Sequence, residues 1–327
     1  MTFLVTGGAG YIGSHMVKHL HSKGYDVVVL DNLSTGHKVL IDNCELINVD
    51  ITNKDGLKKK MKNRRFKAVF HFAGKSIVRE SIDRPYYYYE NNVIGTKNLI
   101  NCLLENDIHY LIYSSSASIF GKTSNIKIDE DFIKRPVNPY GQSKLESEKI
   151  IKSFCESKNL NAACLRYFNA AGAHDSGKIG ELRNVETHLI PRIMSSVLYN
   201  NYQLTVFGND YNTPDGTCIR DYIHVSDLVD AHLKSYKNLL SNSGYHEYNL
   251  GHQSGYSVLE VISAVENHID KKINFIFSKR RIGDPDYLIA NSRKAFNELK
   301  WKTEMSDLQT IIKSAWKWHK YIFEQKL

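Results

Sequence analysis

Residues 6–14 read TGGAGYIGS, and this glycine-rich stretch limits the possible folds more than any other part of the chain. It follows an apolar run, TFLVT at 2–6, and precedes a segment at 12–23 with helical patterning. Gly8, Gly10 and Gly13 fit G-x-G-x-x-G, and Gly7, Gly10 and Gly13 fit the G-x-x-G-x-x-G variant. A glycine pattern alone is weak; its place between a strand and a helix gives it meaning. The glycines permit a tight turn and let the backbone approach a pyrophosphate. The helix start then offers unpaired N–H groups and a positive dipole end.

A second strand at 26–30 ends at Asp31. An acidic residue there accepts hydrogen bonds from the adenosine ribose hydroxyls and repels a 2′-phosphate, so NAD is expected over NADP. A strand-end turn aspartate is the plainer alternative. Further strands are expected at 45–49, 68–72, 109–114 and 161–166, with helices over 88–105 and 139–158. Strands separated by helices imply right-handed βαβ units and a parallel sheet covered on both faces. Helices are expected at 188–200, 226–239, 257–269 and 305–322, between polar loops such as GNDYNTPDG at 208–216. The expected fold is α/β, a Rossmann-type doubly wound parallel sheet with a smaller C-terminal substrate-binding lobe. Its dinucleotide domain is expected over 1–168, with 221–240 as a candidate return to it, and its lobe over 169–327.

The chain of 327 residues is 42% hydrophobic and 24% charged, as in ordinary globular proteins. No apolar run approaches the roughly 20 residues of a spanning helix, and the N-terminus lacks secretory features. A cytoplasmic protein without membrane contact is expected. The five cysteines include no Cys-x-x-Cys pair, which argues against a disulfide framework or zinc site. They read as small buried hydrophobes. The net charge of +8 suits nucleic acid or an acidic small molecule. The basic run at 58–67 reads as a solvated helix face, and no nucleic-acid module accompanies it. His15 and His19, spaced i, i+4, also read as a solvated face, and no metal is expected. The tyrosines at 86–89 read as helix packing or an interface.

Residues 138–144 read NPYGQSK. Asn138 caps a helix and Pro139 suits its first position. Tyr140 and Lys144 then lie one turn apart on the same face. A free tyrosine titrates near ~10, and bringing it to neutrality requires about 4 kcal/mol of preferential phenolate stabilisation. A neighbouring ammonium and the positive end of the helix both act in that direction. LIYSSS at 111–116 ends a strand in three hydroxyls, and Ser116 can bond the substrate hydroxyl that Tyr140 deprotonates. Turn capping is the plainer reading of Ser114 and Ser115.

These features, with HFAG at 71–74, NNVIGT at 91–96 and YGQSK at 140–144, resemble the extended short-chain dehydrogenase/reductases. LRYFNAAGAHDSGKIGE at 165–181, FGNDYNTPDGTCIRDYIHVSDL at 207–228 and RRIGDP at 280–285 narrow the resemblance to the UDP-glucose 4-epimerase family, nearly end to end. The resemblance implies Tyr140 as acid/base, Ser116 as its hydroxyl partner, and Lys144 as ribose ligand and tuner of the phenol. It implies NAD contacts at Gly7, Gly10, Tyr11, Ile12, Gly13, Asp31, Asn32, Asp50, Ile51, Phe72, Ala73 and Gly74. Asn91, Ser114 and Tyr167 complete that set. On the UDP-sugar side it implies Phe168, Asn169, His188, Leu189, Arg220, Arg281, Asp284 and Leu288. Two arginines suit a diphosphate, because the guanidinium fork matches phosphate oxygens.

Three positions depart from the pattern. AGKS replaces AGLK, so Lys75 sits one place early and Ser76 holds the expected position. His188 stands where some relatives have asparagine. Leu288 occupies the position that gates bulk at the sugar 2-position, so acceptance of N-acetylated sugars stays open. The implied activity interconverts UDP-glucose and UDP-galactose through C4 oxidation, rotation of the 4-ketose and re-reduction on the opposite face, in a homodimer joined through helices near 91–105 and 140–157. Alternatives are a 4-epimerase of UDP-N-acetylglucosamine or another nucleotide sugar, or a nucleotide-sugar dehydratase or decarboxylase. A dehydratase needs an acid beside the catalytic hydroxyl, where Ala117 and Ser118 stand. A non-catalytic NAD-sensing regulator is a further alternative, opposed by the intact Ser116, Tyr140 and Lys144 set.

Overall fold

The computed structural model describes residues 1–41, 43–121, 127–199, 202–281 and 283–326. Residue 200, last of the helix expected at 188–200, and Ile282 of the RRIGDP stretch lie outside them. The strands up to the middle of the chain are β1 (Thr2–Thr6), β2 (Asp26–Asp31), β3 (Glu45–Asn48), β4 (Val69–His71), β5 (Tyr110–Ser114) and β6 (Lys127–Ile128). Then come β7 (Asn161–Tyr167), β8 (Asn169–Ala171), β9 (Leu204–Phe207), β10 (Ile219–Arg220) and β11 (Tyr222–His224). The last are β12 (Tyr245–Leu250), β13 (Tyr256–Ser257), β14 (Phe275–Ser278) and β15 (Tyr287–Ala290). The helices are α1 (Tyr11–Ser22), α2 (Lys54–Met61), α3 (Val78–Asp83), α4 (Pro85–Tyr89), α5 (Gly95–Glu105) and α6 (Pro139–Lys158). They continue with α7 (Leu189–Leu198), α8 (Val225–Leu239), α9 (Val258–Ile269), α10 (Arg293–Leu299) and α11 (Leu308–Gln325).

Seven strands form a parallel sheet in the order β12-β7-β5-β4-β1-β2-β3. Helices cover both faces, as apolar runs such as VVVL in β2 demand. Met16 and Leu20 of α1 and Leu228 of α8 pack on one face beside Val5 and Val29. Leu57 of α2, Leu99 of α5 and Ile151 of α6 pack on the other beside Leu4 and Val69. Strand order reverses at β1, flanked by β2 and β4, and such a switch point opens a crevice at the strands' carboxyl ends. A separate cluster joins Ile193 of α7, Val261 of α9 and Ile312 of α11.

The segment expected as one helix over 88–105 is α4, a π turn over Glu90–Ile94, and α5. The outermost strand, β12, was not foreseen, because YHEYNL mixes polar and aromatic residues without alternation. It pairs along its whole length with β7, within the stretch expected to form the lobe.

Two readings are corrected. His15 does not lie on a solvated face: it is buried, and its Nδ1 lies 2.7 Å from the Tyr11 carbonyl. Helix α1 packs against α8, so this face turns inward, and His19 approaches Asp230 at 3.7 Å. The basic run at 58–67 is a helix face only as far as Met61. Among the cysteines, Cys102, Cys164 and Cys218 are buried, while Cys44 and Cys155 are half-buried.

Candidate active site

The glycine loop packs so closely that side chains are excluded. Gly7 has φ +67°, and a Cβ on it would lie 2.5 Å from the Ala73 nitrogen. A Cβ on Gly13 would lie 2.1 Å from the Gly7 carbonyl oxygen, so α1 presses against the strand turn. Gly10 begins α1 without a side-chain cap, which leaves the helix start open to an anion. The Tyr11 hydroxyl donates to the Gly172 carbonyl at 2.6 Å and ties the loop to the chain beyond β8.

Asp31 ends β2 beside this turn. Its carboxylate accepts from the Ala9 and Leu33 amides at 3.0 and 2.8 Å. Burial raises its pKa, and those two amides and Lys75 oppose the rise. Asn32 donates to Asp50 at 2.6 Å, so two of the polar residues expected to contact NAD are linked. Ile51 packs on Gly95 at the start of α5. Lys75 reaches the Ser34 hydroxyl at 3.0 Å, while the Asn92 side chain clasps its backbone and bonds Ser143 at 2.9 Å. Ser76 is exposed. Asn91 is buried in the π turn, and Phe72 rests against His232.

Asn138 caps α6 by accepting from the Gly141 amide at 2.8 Å, and Pro139 occupies the first turn. Tyr140 and Lys144 are both buried on this helix. Burial raises the Tyr140 pKa, while the Ser116 hydroxyl and the Arg183 guanidinium act to lower it. The Lys144 ammonium donates to the Ser114 carbonyl at 2.7 Å, and burial pulls its pKa down to about 8. Ser114 shares a short hydrogen bond with Tyr167. The turn-capping role falls to Ser116, which accepts from the Ser118 amide at 3.1 Å, while Ser115 bonds Glu148.

The expected sugar-nucleotide residues gather on short strands. Arg220 on β10 stands in register with Leu288 on β15, and its guanidinium donates to Asp284 at 2.6 Å. Leu288 packs in one cluster with Phe168. Asn169 donates to the Asp221 carbonyl at 3.0 Å. Arg281 is exposed and lies over the Phe207 ring at 4.4 Å. His188 stands at the start of α7, just before Leu189, and its side chain pairs with Glu181 at 2.8 Å rather than capping the helix. Glu181, Glu186 and His188 are close enough to share an ion, but Glu181 already holds Arg183 at 2.6 Å.

Sequence reasoning missed several residues at this site. Tyr88, fully buried in the tyrosine run, sets its ring edge-on to Tyr140 at 6.4 Å. Asn92, Glu148 and Arg183 were also missed. The partners of Asn92 and Glu148 lie far away in sequence, and Arg183 acts on the distant Tyr140, so local patterns carried no signal for them.

A glycine cradle, a strand-end aspartate and a serine–tyrosine–lysine set at a switch point define a nucleotide-cofactor enzyme of the short-chain dehydrogenase type. The chain belongs to the NAD dependent epimerase/dehydratase family, whose model matches residues 3–251. It is 43% identical to the UDP-glucose 4-epimerase of Halalkalibacterium halodurans over 98% of this chain and 96% of that protein. The crystal structure of UDP-glucose 4-epimerase from Brucella ovis in complex with NAD superposes with TM-score 0.93 at 40% identity, covering 96% of this chain and 97% of that one. That of the Bifidobacterium longum enzyme with NAD+ and UDP gives TM-score 0.91 at 34% identity, covering 98% of each chain. The likeness carried by the motifs is thus borne out over nearly the full chain.

Proposed function

We propose that this chain is an NAD-dependent 4-epimerase that interconverts UDP-glucose and UDP-galactose, as a cytoplasmic homodimer. The observation that carries the reading is the buried Tyr140 phenol, which feels the Ser116 hydroxyl and lies on the helix that also bears Lys144. The full-length relatives named as UDP-glucose 4-epimerases support it.

The cradle fits NAD: Gly7 and Gly13 leave no room for a side chain, the α1 start is uncapped, and Asp31 waits at the end of β2. In this reading Gly7, Gly10, Tyr11, Ile12 and Gly13 hold the pyrophosphate. Asp31, Asn32, Asp50 and Ile51 hold the adenosine, and Phe72, Ala73, Gly74, Asn91, Ser114, Lys144 and Tyr167 hold the nicotinamide half. Bound there, NAD supplies reversible hydride exchange at C4, so the sugar passes through a 4-ketone without net oxidation. Tyr140 takes the proton of the sugar 4-hydroxyl and later returns it. Ser116 orients that hydroxyl. Arg220, Arg281 and Asp284 hold UDP, and Phe168, Asn169, His188, Leu189 and Leu288 shape the sugar pocket.

The five cysteines, with no Cys-x-x-Cys pair among them, suit a reducing compartment. No described helix is long and apolar enough to cross a membrane. The homodimer reading joins the helices near 91–105 and 140–157. Tyr86 and Tyr89, exposed at 73% and 45% just before the first of these, offer apolar surface.

Purified protein given UDP-galactose is expected to form UDP-glucose to a fixed equilibrium ratio. Tyr140→Phe should keep its cofactor and lose about 100- to 10,000-fold in kcat. Retention of more than a tenth of the parent rate removes Tyr140 from this role. Running UDP-N-acetylglucosamine in parallel tests the width of the pocket at Leu288.

A further inference from the structure

Helix α6 meets the end of β5 through three rungs. Tyr140 faces Ser116, whose hydroxyl acts to lower the phenol's pKa. One turn on, Lys144 donates to the Ser114 carbonyl at 2.7 Å. One turn further, the Ser115 hydroxyl donates to Glu148 at 2.5 Å. Residues 140, 144 and 148 share a helix face. The first two rungs belong to the chemistry proposed above; the third has no part in it.

Glu148 is 3% exposed and is clamped by Arg166 of β7, which is fully buried. Arg166 donates from Nε to Oε1 at 2.9 Å and from Nη2 to Oε2 at 2.7 Å, a fork-to-carboxylate pair. Arg166 also meets Glu247 of β12, which pairs with Lys134 at 3.2 Å. Burying such a pair costs desolvation, and apolar residues of similar volume often stabilise a fold as well or better. Its use is therefore to be sought in what it holds. It holds Ser115, the residue between the two that serve Lys144 and Tyr140. It also sets a carboxylate one turn from the Lys144 ammonium.

Other titratable groups face Lys144. His71 on β4 is held neutral, its pKa pulled down to about 3 by burial and by Lys144 itself. The Tyr113 ring on β5 lies 4.8 Å from Nζ, and burial pushes its phenol up. Burial likewise pushes up the Cys164 thiol on β7, so both stay neutral near pH 8. Tyr140 is also raised by burial. Arg166 is a cation already engaged by Glu148. Among the described residues around Lys144, Glu148 is the anion that opposes the effect of burial on its ammonium.

We propose that Glu148 is a positioning residue that locks residues 114–116 in register with α6 and keeps the Lys144 nitrogen an ammonium. The proposal rests on the epimerase reading for the roles of Tyr140 and Lys144. Removing the carboxylate charge lets burial pull the Lys144 pKa lower, so the alkaline limb of activity moves to lower pH.

The test compares the NAD-loaded parent, Glu148→Gln and Glu148→Asp for kcat and KM with UDP-galactose from pH 6 to 9.5. Glu148→Gln should shift the alkaline limb down by about one pH unit, a loss of about tenfold above the limb, with KM nearly unchanged. Glu148→Asp should restore the parent profile. The affinity of NAD-depleted protein for NAD, followed by fluorescence, should weaken with rising pH at the same shifted point. That readout stands even if the parent epimerises nothing, so failure of the epimerase reading and failure of this proposal are distinguishable. A Glu148→Gln protein with the parent's profiles, or with an equal loss at every pH, overturns the proposal. If Glu148→Gln does not fold, the pair Glu148→Met with Arg166→Met carries the test with the same expectation. Failure of both to fold shows a purely structural ion pair and overturns the proposal equally.

Discussion

Tyr140 sits in surroundings that oppose its ionisation. The sequence suggests that the amine one turn away eases this; the Lys144 ammonium donates to the Ser114 carbonyl, and the Arg183 guanidinium also acts to lower the phenol's pKa. Spacing along a helix says which residues share a face but not where a long side chain ends. Gly7 is the opposite case, since its chemistry was legible in the motif and the structure supplies the reason. A methyl there meets the Ala73 backbone in a positive-φ conformation. Gly7→Ala should therefore cost about 1–3 kcal/mol of stability and most of the NAD affinity. Chemical denaturation and NAD titration would show this, and an undisturbed variant would remove the close-packing argument. The glycines and Asp31 could be read because their function needs a local pattern. Tyr88, Asn92 and Glu148 could not, because each acts through a partner on another element.

At the level of elements, helix starts were the most legible features, because caps are local. Asn138 both begins α6 and sets the azimuth of Tyr140 and Lys144. Asn138→Ala should cost about 1 kcal/mol, measured by thermal melting, and lower kcat more than KM. Equal loss in both would mean that the cap does not orient the catalytic face. Helix α8 shows a connection that no pattern announces. The Asp227 carboxylate accepts from the Glu304 and Met305 amides at 3.1 and 2.9 Å and from the Ser306 hydroxyl at 2.5 Å. The bend in the run over 85–105 escaped reading for a similar reason. Its π turn places Asn92 toward Lys75 and Ser143, a demand of tertiary structure rather than of helix propensity.

For the whole molecule, the alternation of strands and helices was enough to specify a parallel, doubly covered sheet. What it left out was the outer edge, since β12 lies far from β7 in sequence and lacks strand-like alternation. Two predictions belong at this scale. Because the cradle is built only in the folded chain, NAD at a hundredfold excess over its Kd should raise the unfolding free energy by about 2.7 kcal/mol. No shift in the denaturation midpoint would argue against a folded-state NAD site. If the exposed tyrosines before α5 line the homodimer contact, Tyr86→Glu with Tyr89→Glu should yield monomers by light scattering. A persisting dimer would locate the contact elsewhere.

The late arrival of β12 also bears on how the chain is made. During synthesis, β7 leaves the ribosome with one flank unpaired and waits for more than seventy further residues before its neighbour emerges. Until then the nascent sheet presents a bare edge of amides and carbonyls, the geometry that recruits strands from other chains. Fragments that stop short of Leu250 should precipitate or be captured by chaperones, whatever integrity their glycine cradle retains.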